Sequence, residues 1–486
     1  MVPITTLEKG WFPVNTLKNI IGGEFVAAHG TSTLDLVSPV DEQVVGISPI
    51  SDATDVDAAV TAAAEAFRTW RRTTPAARQA ALLAIADLVE EHAQEIAEIQ
   101  CRETGQLVEM VKTEECLVGA DQIRFFAGAA RTLQGLSQGE YMEGHTSSIR
   151  REPLGVIAQV SPWNYPFMMA VWKLAPALAA GNTVVIKPSD TTPSSTLKFV
   201  ELMQQVLPAG VVNVVLGDAT TGATLVAHPQ VRMAAITGSV PAGRAVGRSA
   251  GENLKRSHLE LGGKAPVIVA ADADLPAAAE GIAAAGFFNA GQDCTAATRI
   301  LVDRAVEEEF TSLLVAEAAK LRCGAPDDPD AFYGALNNRR HFDKVMGVLA
   351  ELPAHARILT GGTRVGDTGF YLAPTIIAGL TQQDKAIQEE TFGPVLTIQS
   401  FDTLDEALEL ANDVSYGLAS SVWTTNVHTS DRAARELEFG CVWINCHIPL
   451  VAEMPHGGFK DSGYGKDLSL YGMEEYTRIK HVMSAH

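Results

Sequence analysis

The feature that most narrows the fold is a regular alternation that begins at residue 152. Short, uninterrupted apolar runs alternate with longer segments of helical period. PLGVIAQV precedes FMMAVWKLAPALAA, TVVIK precedes SSTLKFVELMQQVL, and VVNVV and VRMAAI precede PAGRAVGRSA. Strands apolar on both faces belong in a parallel sheet covered by helices on both sides. A sheet with one wet face would instead alternate polar and apolar residues. The fold class is therefore α/β, with a doubly wound domain whose ligand should sit at the carboxyl ends of the strands. A second alternation, with strands near PVIVA, TRILV and VLTIQ, runs from 264 to about 461 and predicts a second α/β domain.

The remaining segments are less regular. Residues 18–27 and 34–49 read as short strands, and the Ala-rich stretches 57–66 and 277–285 as tightly packed helices. Residues 75–104 read as one long amphipathic helix, because Ile85, Leu88, Val89, His92, Ile96 and Ile99 recur at helical spacing. Residues 134–151 break the pattern and suit a loop or a protruding hairpin.

Charge and cysteine usage exclude several functions. The chain of 486 residues carries 37 Lys and Arg against 58 Asp and Glu, a net charge of −21. Such a surface repels phosphate backbones, so neither nucleic acid nor an anionic membrane is an expected partner. The start lacks the apolar run of a signal peptide, and no stretch has the length and apolarity of a membrane helix. The expectation is a cytoplasmic protein acting on a small molecule. The six cysteines are scattered and form no CxxC pair, so no disulfide framework, zinc cluster or other metal site is expected.

Two strand ends suit a nucleotide. TVVIK ends at Lys187, followed by Pro188, Ser189 and Asp190. A lysine donates to ribose hydroxyls and a carboxylate accepts from them, although Asp190 reads equally well as a helix cap. VRMAAI runs into Thr237-Gly238-Ser239, a turn that opens a helix and so presents free N–H groups to an anion. The spacing is not GxGxxG.

Three further segments carry chemistry. Gly291-Gln292-Asp293-Cys294 interrupts a helical run and sets Cys294 on an exposed turn, where a thiol can react; the alternative is a small packing residue. Glu260-Leu261-Gly262-Gly263-Lys264 ends the first sheet region, where Glu260 suits a general base or a cap. Ser161-Pro162-Trp163-Asn164-Tyr165-Pro166 is a proline-fixed turn in which Asn164 suits an oxyanion donor or an Asx turn. A nucleophile, a base, an amide donor and a nucleotide cleft thus all fall at sheet ends.

With the motifs PWNYP, KPSD, TGS, ELGGKAP, GQDC, EETFGPV, NDVSYGLASSVWT, WIN and PHGGFKDSGYGK in order, the chain resembles the NAD(P)-dependent aldehyde dehydrogenase superfamily almost end to end. That resemblance implies Cys294 as nucleophile, Glu260 as general base and Asn164 as oxyanion amide. It implies an NAD site made by Lys187, Ser189 and Asp190 at the adenosine ribose, by Gly238 and Ser239 at the pyrophosphate, and by Glu390 and Phe392 at the nicotinamide ribose. Pro162, Trp163 and Leu261 lie beside the cofactor. Asp190 is shorter than the usual glutamate, which leaves NADP open. Lys173 and Asp467 match positions of a proton relay. The implied domains are 1–133 with 152–262 for NAD, 263–461 for catalysis, and a small β oligomerisation arm of 134–151 with 474–486. The arm would pair with the C-terminal tail of a neighbour, making a dimer or tetramer.

IRFFAGAARTLQGLSQGEYMEGHTSSIRREPLGV, NAGQDCTAATRI, CGAPDD and EMPHGGFKDSGYGKDLSLYG resemble the γ-aminobutyraldehyde dehydrogenase branch. The implied reaction oxidises 4-aminobutanal, the aldehyde from putrescine, to 4-aminobutanoate. Asp293, Glu114, Glu115 and Asp121 would attract a cationic aldehyde, and Tyr165, Trp172 and Phe288 would form aromatic walls for it. The same acids read as plain helix surface and the same aromatics as core. Betaine aldehyde or an uncharged aldehyde as substrate, or a non-catalytic binding protein on this fold, are the competing readings.

Overall fold

The computed structural model describes residues 15–133, 135 and 137–486. Its centre is an eight-stranded sheet. Five parallel strands run in the order Val212–Val214, Thr183–Lys187, Val156–Val160, Val231–Thr237 and Arg256–Glu260. A hairpin of Asn19–Ile21 and Glu24–Val26 closes one edge, and Gly463–Tyr464 closes the other antiparallel to Arg256–Glu260. The chain therefore returns to its first sheet after 461. Helices cover both faces; Pro166–Ala179 is buried along its whole length.

A second, seven-stranded sheet has the order Arg357–Thr360, Thr375–Ala378, Val395–Phe401, Arg299–Asp303, Pro266–Val269, Ala419–Trp423 and Cys441–Ile444. Six of its strands are parallel, and only the edge strand Arg357–Thr360 is antiparallel. Both alternations in the sequence thus fold as doubly wound sheets, each with its own apolar core.

One local expectation is corrected. Residues 75–104 form two helices, Pro75–Glu91 and Ala93–Thr104, that meet at His92. His92 has φ −104° and ψ 12°, outside the helix, while Val89 and Ile96 on either side both stay in the core. Apolar spacing continues through the break, so periodicity alone does not reveal it. The C-terminal strand Thr477–Ala485 pairs antiparallel with His145–Pro153 of its own chain, over the full register Thr477↔Pro153 to Ala485↔His145. With Gly139–Met142 these strands make a separate three-stranded sheet.

Candidate active site

The first sheet reverses its winding between Val156–Val160 and Val231–Thr237, because the chain builds outward from the former in one direction and then from the latter in the other. Loops at such a point diverge and leave a crevice. A cavity of about 400 Å³ lies there. Pro162, Trp163 and Asn164 line it from the end of one strand, Gly238 and Ser239 from the next, and Glu260, Leu261 and Gly262 from the third. Cys294, Asp293, Glu390 and Phe392 close it from the second sheet.

Local backbone explains the position of the thiol. Helix Leu275–Phe287 stops, and Asn289 (φ 50°) and Ala290 (φ 58°) adopt left-handed conformations that L-residues rarely take. This turn carries Cys294 out of the helix and into the cavity, half-buried. Gly263 is needed beside it, since a Cβ there would lie 2.1 Å from the Cys294 carbonyl oxygen. Asn164 donates one Nδ2 hydrogen to the Gln292 carbonyl at 3.0 Å. An amide carries two, so one remains for an oxyanion. Gln106 and Asn289 both donate to the Asn164 carbonyl and fix its backbone.

Burial, then the carboxylates of Asp293, Glu260 and Glu390, push the Cys294 thiol well above its ordinary range. The resting thiol is protonated and needs a base. Glu260 ends its strand 1% exposed, and neither carboxylate oxygen has a hydrogen-bond partner among the described residues. His456 Nε2 lies 3.3 Å from Glu260 Oε1. Burial would lower His456, but the Glu260 carboxylate outweighs it and raises the imidazole.

The cofactor residues fit a nicotinamide dinucleotide. Ser239 caps helix Val240–Glu252 by accepting from the Ala242 N–H, so the helix N-terminus opens onto the cavity beside Gly238. Thr237 Oγ1 is buried there with no partner among the described residues. Glu390 Oε1 accepts from the Gly263 N–H at 2.8 Å, and a Cβ on Gly262 would strike the same carboxylate. Phe392 and Trp163 pack edge to face at 5.4 Å. Lys187, Ser189 and Asp190 stand one strand further out and do not line this cavity. The Lys187 ammonium donates to the Pro188 and Gly217 carbonyls, and burial pulls it down to about 8. Asp190 caps no helix: the next one begins after Pro193 without a side-chain cap.

The acids and aromatics divide. Asp293, Glu114, Glu115, Tyr165, Trp172 and Phe288 line the cavity. Asp121 does not; it is exposed on helix Val118–Ala129. Glu115 is 1% exposed and burial raises it to about 8, although Gln100, Gln106 and the Met168 N–H all donate to it. It is therefore no helix-surface charge. Trp172 Nε1 donates to Gln122 at 2.8 Å, which holds the indole as a wall. Lys173 and Asp467 form a buried ion pair at 2.9 Å, with His258 Nε2 3.3 Å from the other Asp467 oxygen.

The residue that sequence reasoning missed is His456. It lies within a quoted motif, PHGGFKDSGYGK, yet only the fold brings it to Glu260. Gln122, Met168 and Met169 also line the cavity, with no sequence signal beyond their place on apolar helices.

Comparison with known proteins agrees with this geometry. The family described as "Aldehyde dehydrogenase family" matches residues 25–482. The chain is similar to an NAD-dependent aldehyde dehydrogenase from Sinorhizobium meliloti, with 38% identity over 97% of this chain and 95% of that one, and a TM-score of 0.94. It is similar to a betaine aldehyde dehydrogenase from Staphylococcus aureus in complex with NAD+ (34% identity, 96% and 95% covered, TM-score 0.94). It is also similar to lactaldehyde dehydrogenase from Escherichia coli (34%, 97% and 100%, TM-score 0.95). No described helix is long and apolar enough to cross a membrane. With a thiol, a carboxylate and an amide converging at the sheet switch point, and a family match over nearly the whole chain, the protein belongs to the aldehyde dehydrogenase family.

Proposed function

We propose that the protein oxidises an aminoaldehyde, 4-aminobutanal to 4-aminobutanoate, with NAD as hydride acceptor. The observation that carries this reading is the acidic character of the cavity lining. Its lining holds the carboxyl groups of Glu114, Glu115, Glu260, Asp293 and Glu390 against a single lysine, Lys344. Tyr165, Trp172 and Phe288 add aromatic faces, which attract ammonium groups by cation–π contact. An ammonium near Glu115 would favour its ionised form and so strengthen its own binding.

The residues divide the reaction as follows. Glu260 takes the Cys294 thiol proton, and the sulfur attacks the aldehyde carbon to form a thiohemiacetal. The free Asn164 hydrogen and the Cys294 N–H stabilise its oxyanion. NAD, when bound, would supply the hydride acceptor, and loss of the hydride from the thiohemiacetal leaves a thioester on Cys294. Glu260, once deprotonated again, takes a proton from water as the water attacks the thioester. Collapse releases the carboxylic acid and the Cys294 sulfur. The residues that would hold the nicotinamide end are Glu390, Phe392 and Trp163. Lys187, Ser189 and Asp190 are proposed for the adenosine ribose, where the Asp190 charge would disfavour a 2′-phosphate.

Betaine aldehyde is the second reading, because the same aromatic faces suit a trimethylammonium group. The experiment is a panel of 4-aminobutanal, betaine aldehyde, succinate semialdehyde and propanal, run with NAD and then NADP. The expected order of kcat/KM places 4-aminobutanal about tenfold above propanal and succinate semialdehyde last. Equal turnover of propanal would overturn the cationic substrate. A homo-oligomer is also proposed, supported by Tyr141 and Met142, which are 75% and 57% exposed on the edge strand of the arm.

A further inference from the structure

Cys294, Glu260 and His456 are separated widely in sequence but meet at one point. One ligand atom from each, the thiol sulfur, a carboxylate oxygen and a ring nitrogen, lies within 4.8 Å of the other two. We propose that these three residues form a binding site for a thiophilic divalent cation, Zn²⁺ above all, and that its occupancy reversibly switches the enzyme off.

The donor set fits the ion. Zn²⁺ takes thiolate, imidazole and carboxylate ligands in tetrahedral geometry, and sites with three protein ligands leave the fourth position to water. Zinc–ligand bonds of about 2.0–2.3 Å imply ligand separations of roughly 3.3–3.6 Å. The three ligand atoms, all within 4.8 Å of one another, lie near that spacing.

Glu260 and His456 meet each other at 3.3 Å but are otherwise unpartnered among the described residues, and their backbone is held. Both Glu260 oxygens and His456 Nδ1 lack a hydrogen-bond partner among the described residues, although the two side chains are 1% and 2% exposed. Buried polar atoms are normally satisfied, so this group has spare coordinating capacity. Glu260 is fixed by strand pairing to Thr237 on one side and Gly463 on the other. His456 is clamped by reciprocal backbone hydrogen bonds with Asp467 at 2.9 and 2.8 Å, and its ring packs edge to face on Trp172 at 5.2 Å. The surrounding field favours a cation, since Asp293 and Glu390 add negative charge beside the thiol.

Binding changes the chemistry of the site. The Cys294 S–H bond breaks and a sulfur–zinc bond forms; the thiol proton leaves to solvent, together with any proton held on the His456 ring. No oxidant or reductant is involved. The nucleophile and the base are then held by the same ion, so neither thiohemiacetal formation nor thioester hydrolysis can proceed. A chelator reverses the state.

The test uses the full-length protein without aldehyde, so it is independent of the substrate reading. Metal-free protein is titrated with Co²⁺ and followed by the near-ultraviolet thiolate-to-cobalt absorption. Zn²⁺ is then added to displace the cobalt and to protect Cys294 from iodoacetamide. The expected result is one Co²⁺ per chain, loss of the band in Cys294→Ser, and affinity at least about tenfold weaker in both His456→Phe and Glu260→Gln. Circular dichroism confirms that each variant is folded; a variant that is not folded is replaced by His456→Gln or Glu260→Ala. Absence of the thiolate band, its persistence in Cys294→Ser through Cys441 or Cys446, or unchanged affinity in the folded His456 variant would each overturn the site.

Discussion

Tyr165 donates its phenolic hydroxyl to Asp293 Oδ2 at 2.8 Å, and Asp293 Oδ1 accepts from the Thr295 hydroxyl at 2.7 Å and its N–H at 2.6 Å. The carboxylate next to the nucleophile is therefore locked in place and faces the cavity as a fixed negative charge. Asp293→Asn keeps the size and removes the charge. KM for 4-aminobutanal is expected to rise roughly tenfold, with propanal little affected. The same substitution removes one of the charges that raise the Cys294 thiol. The pH midpoint for iodoacetamide alkylation of Cys294 should move down; an unmoved midpoint would contradict the electrostatic role.

Much of the framework was legible because it depends on local pattern. Apolar runs such as TVVIK and PVIVA announce parallel strands, and the glycine-containing GQDC turn announces a break that frees Cys294. Other features depend on contacts far apart in sequence. Nothing local to PHGG shows that His456 faces Glu260, and the tail 477–485 alternates alike whether its partner is its own hairpin or a neighbour's. Asp121 was misplaced because it sits on the exposed face of helix Val118–Ala129, whereas Glu115, in the turns just before that helix, is buried. The burial of Glu115 was hidden because a carboxyl group in the core is stabilised by distant donors, here Gln100, Gln106 and the Met168 N–H.

Cys294→Ala should abolish NADH formation with every aldehyde in the panel, since no other thiol lines the cavity among the described residues. Glu260→Gln should separate the two halves of the reaction. If solvent accepts the thiol proton in the variant, a pre-steady-state burst of NADH remains while steady turnover falls by about 10²–10⁴. Stopped-flow absorbance distinguishes this from loss of the burst itself, which would make Glu260 indispensable as acceptor of the thiol proton.

Gly263→Ala tests the packing that sets the nucleophile. The added methyl would meet the Cys294 carbonyl oxygen at 2.1 Å, a backbone atom with no rotamer to escape into. The strand-to-loop segment or the cysteine turn must shift. A displacement of about 1 Å at a reacting group costs on the order of 100-fold in rate. The expected outcome is a folded protein by circular dichroism with kcat reduced by about that factor, and wild-type kcat would show that the turn is free to move.

The buried group His258–Asp467–Lys173 should set an alkaline limit on stability. Burial pulls the His258 imidazole down and the Lys173 ammonium opposes its charge, but Asp467 and Glu475 outweigh both and raise it to about 9. The folded value exceeds the usual 6.5, so folding favours the protonated ring. That contribution is fully present below about 6.5, decays as pH rises, and is gone above about 9. Its size is on the order of 3 kcal/mol. Asp467, held well below the usual carboxylate range, is ionised throughout this window and adds no pH dependence of its own. The midpoint of urea unfolding should therefore fall between pH 6.5 and pH 9.5 in the native protein. His258→Gln, which keeps a donor toward Asp467 but cannot titrate, should be less stable at pH 6.5 and show a shallower decline. A parallel decline in both proteins would assign the alkaline loss to other groups that folding keeps protonated, such as Glu115, which burial raises to about 8.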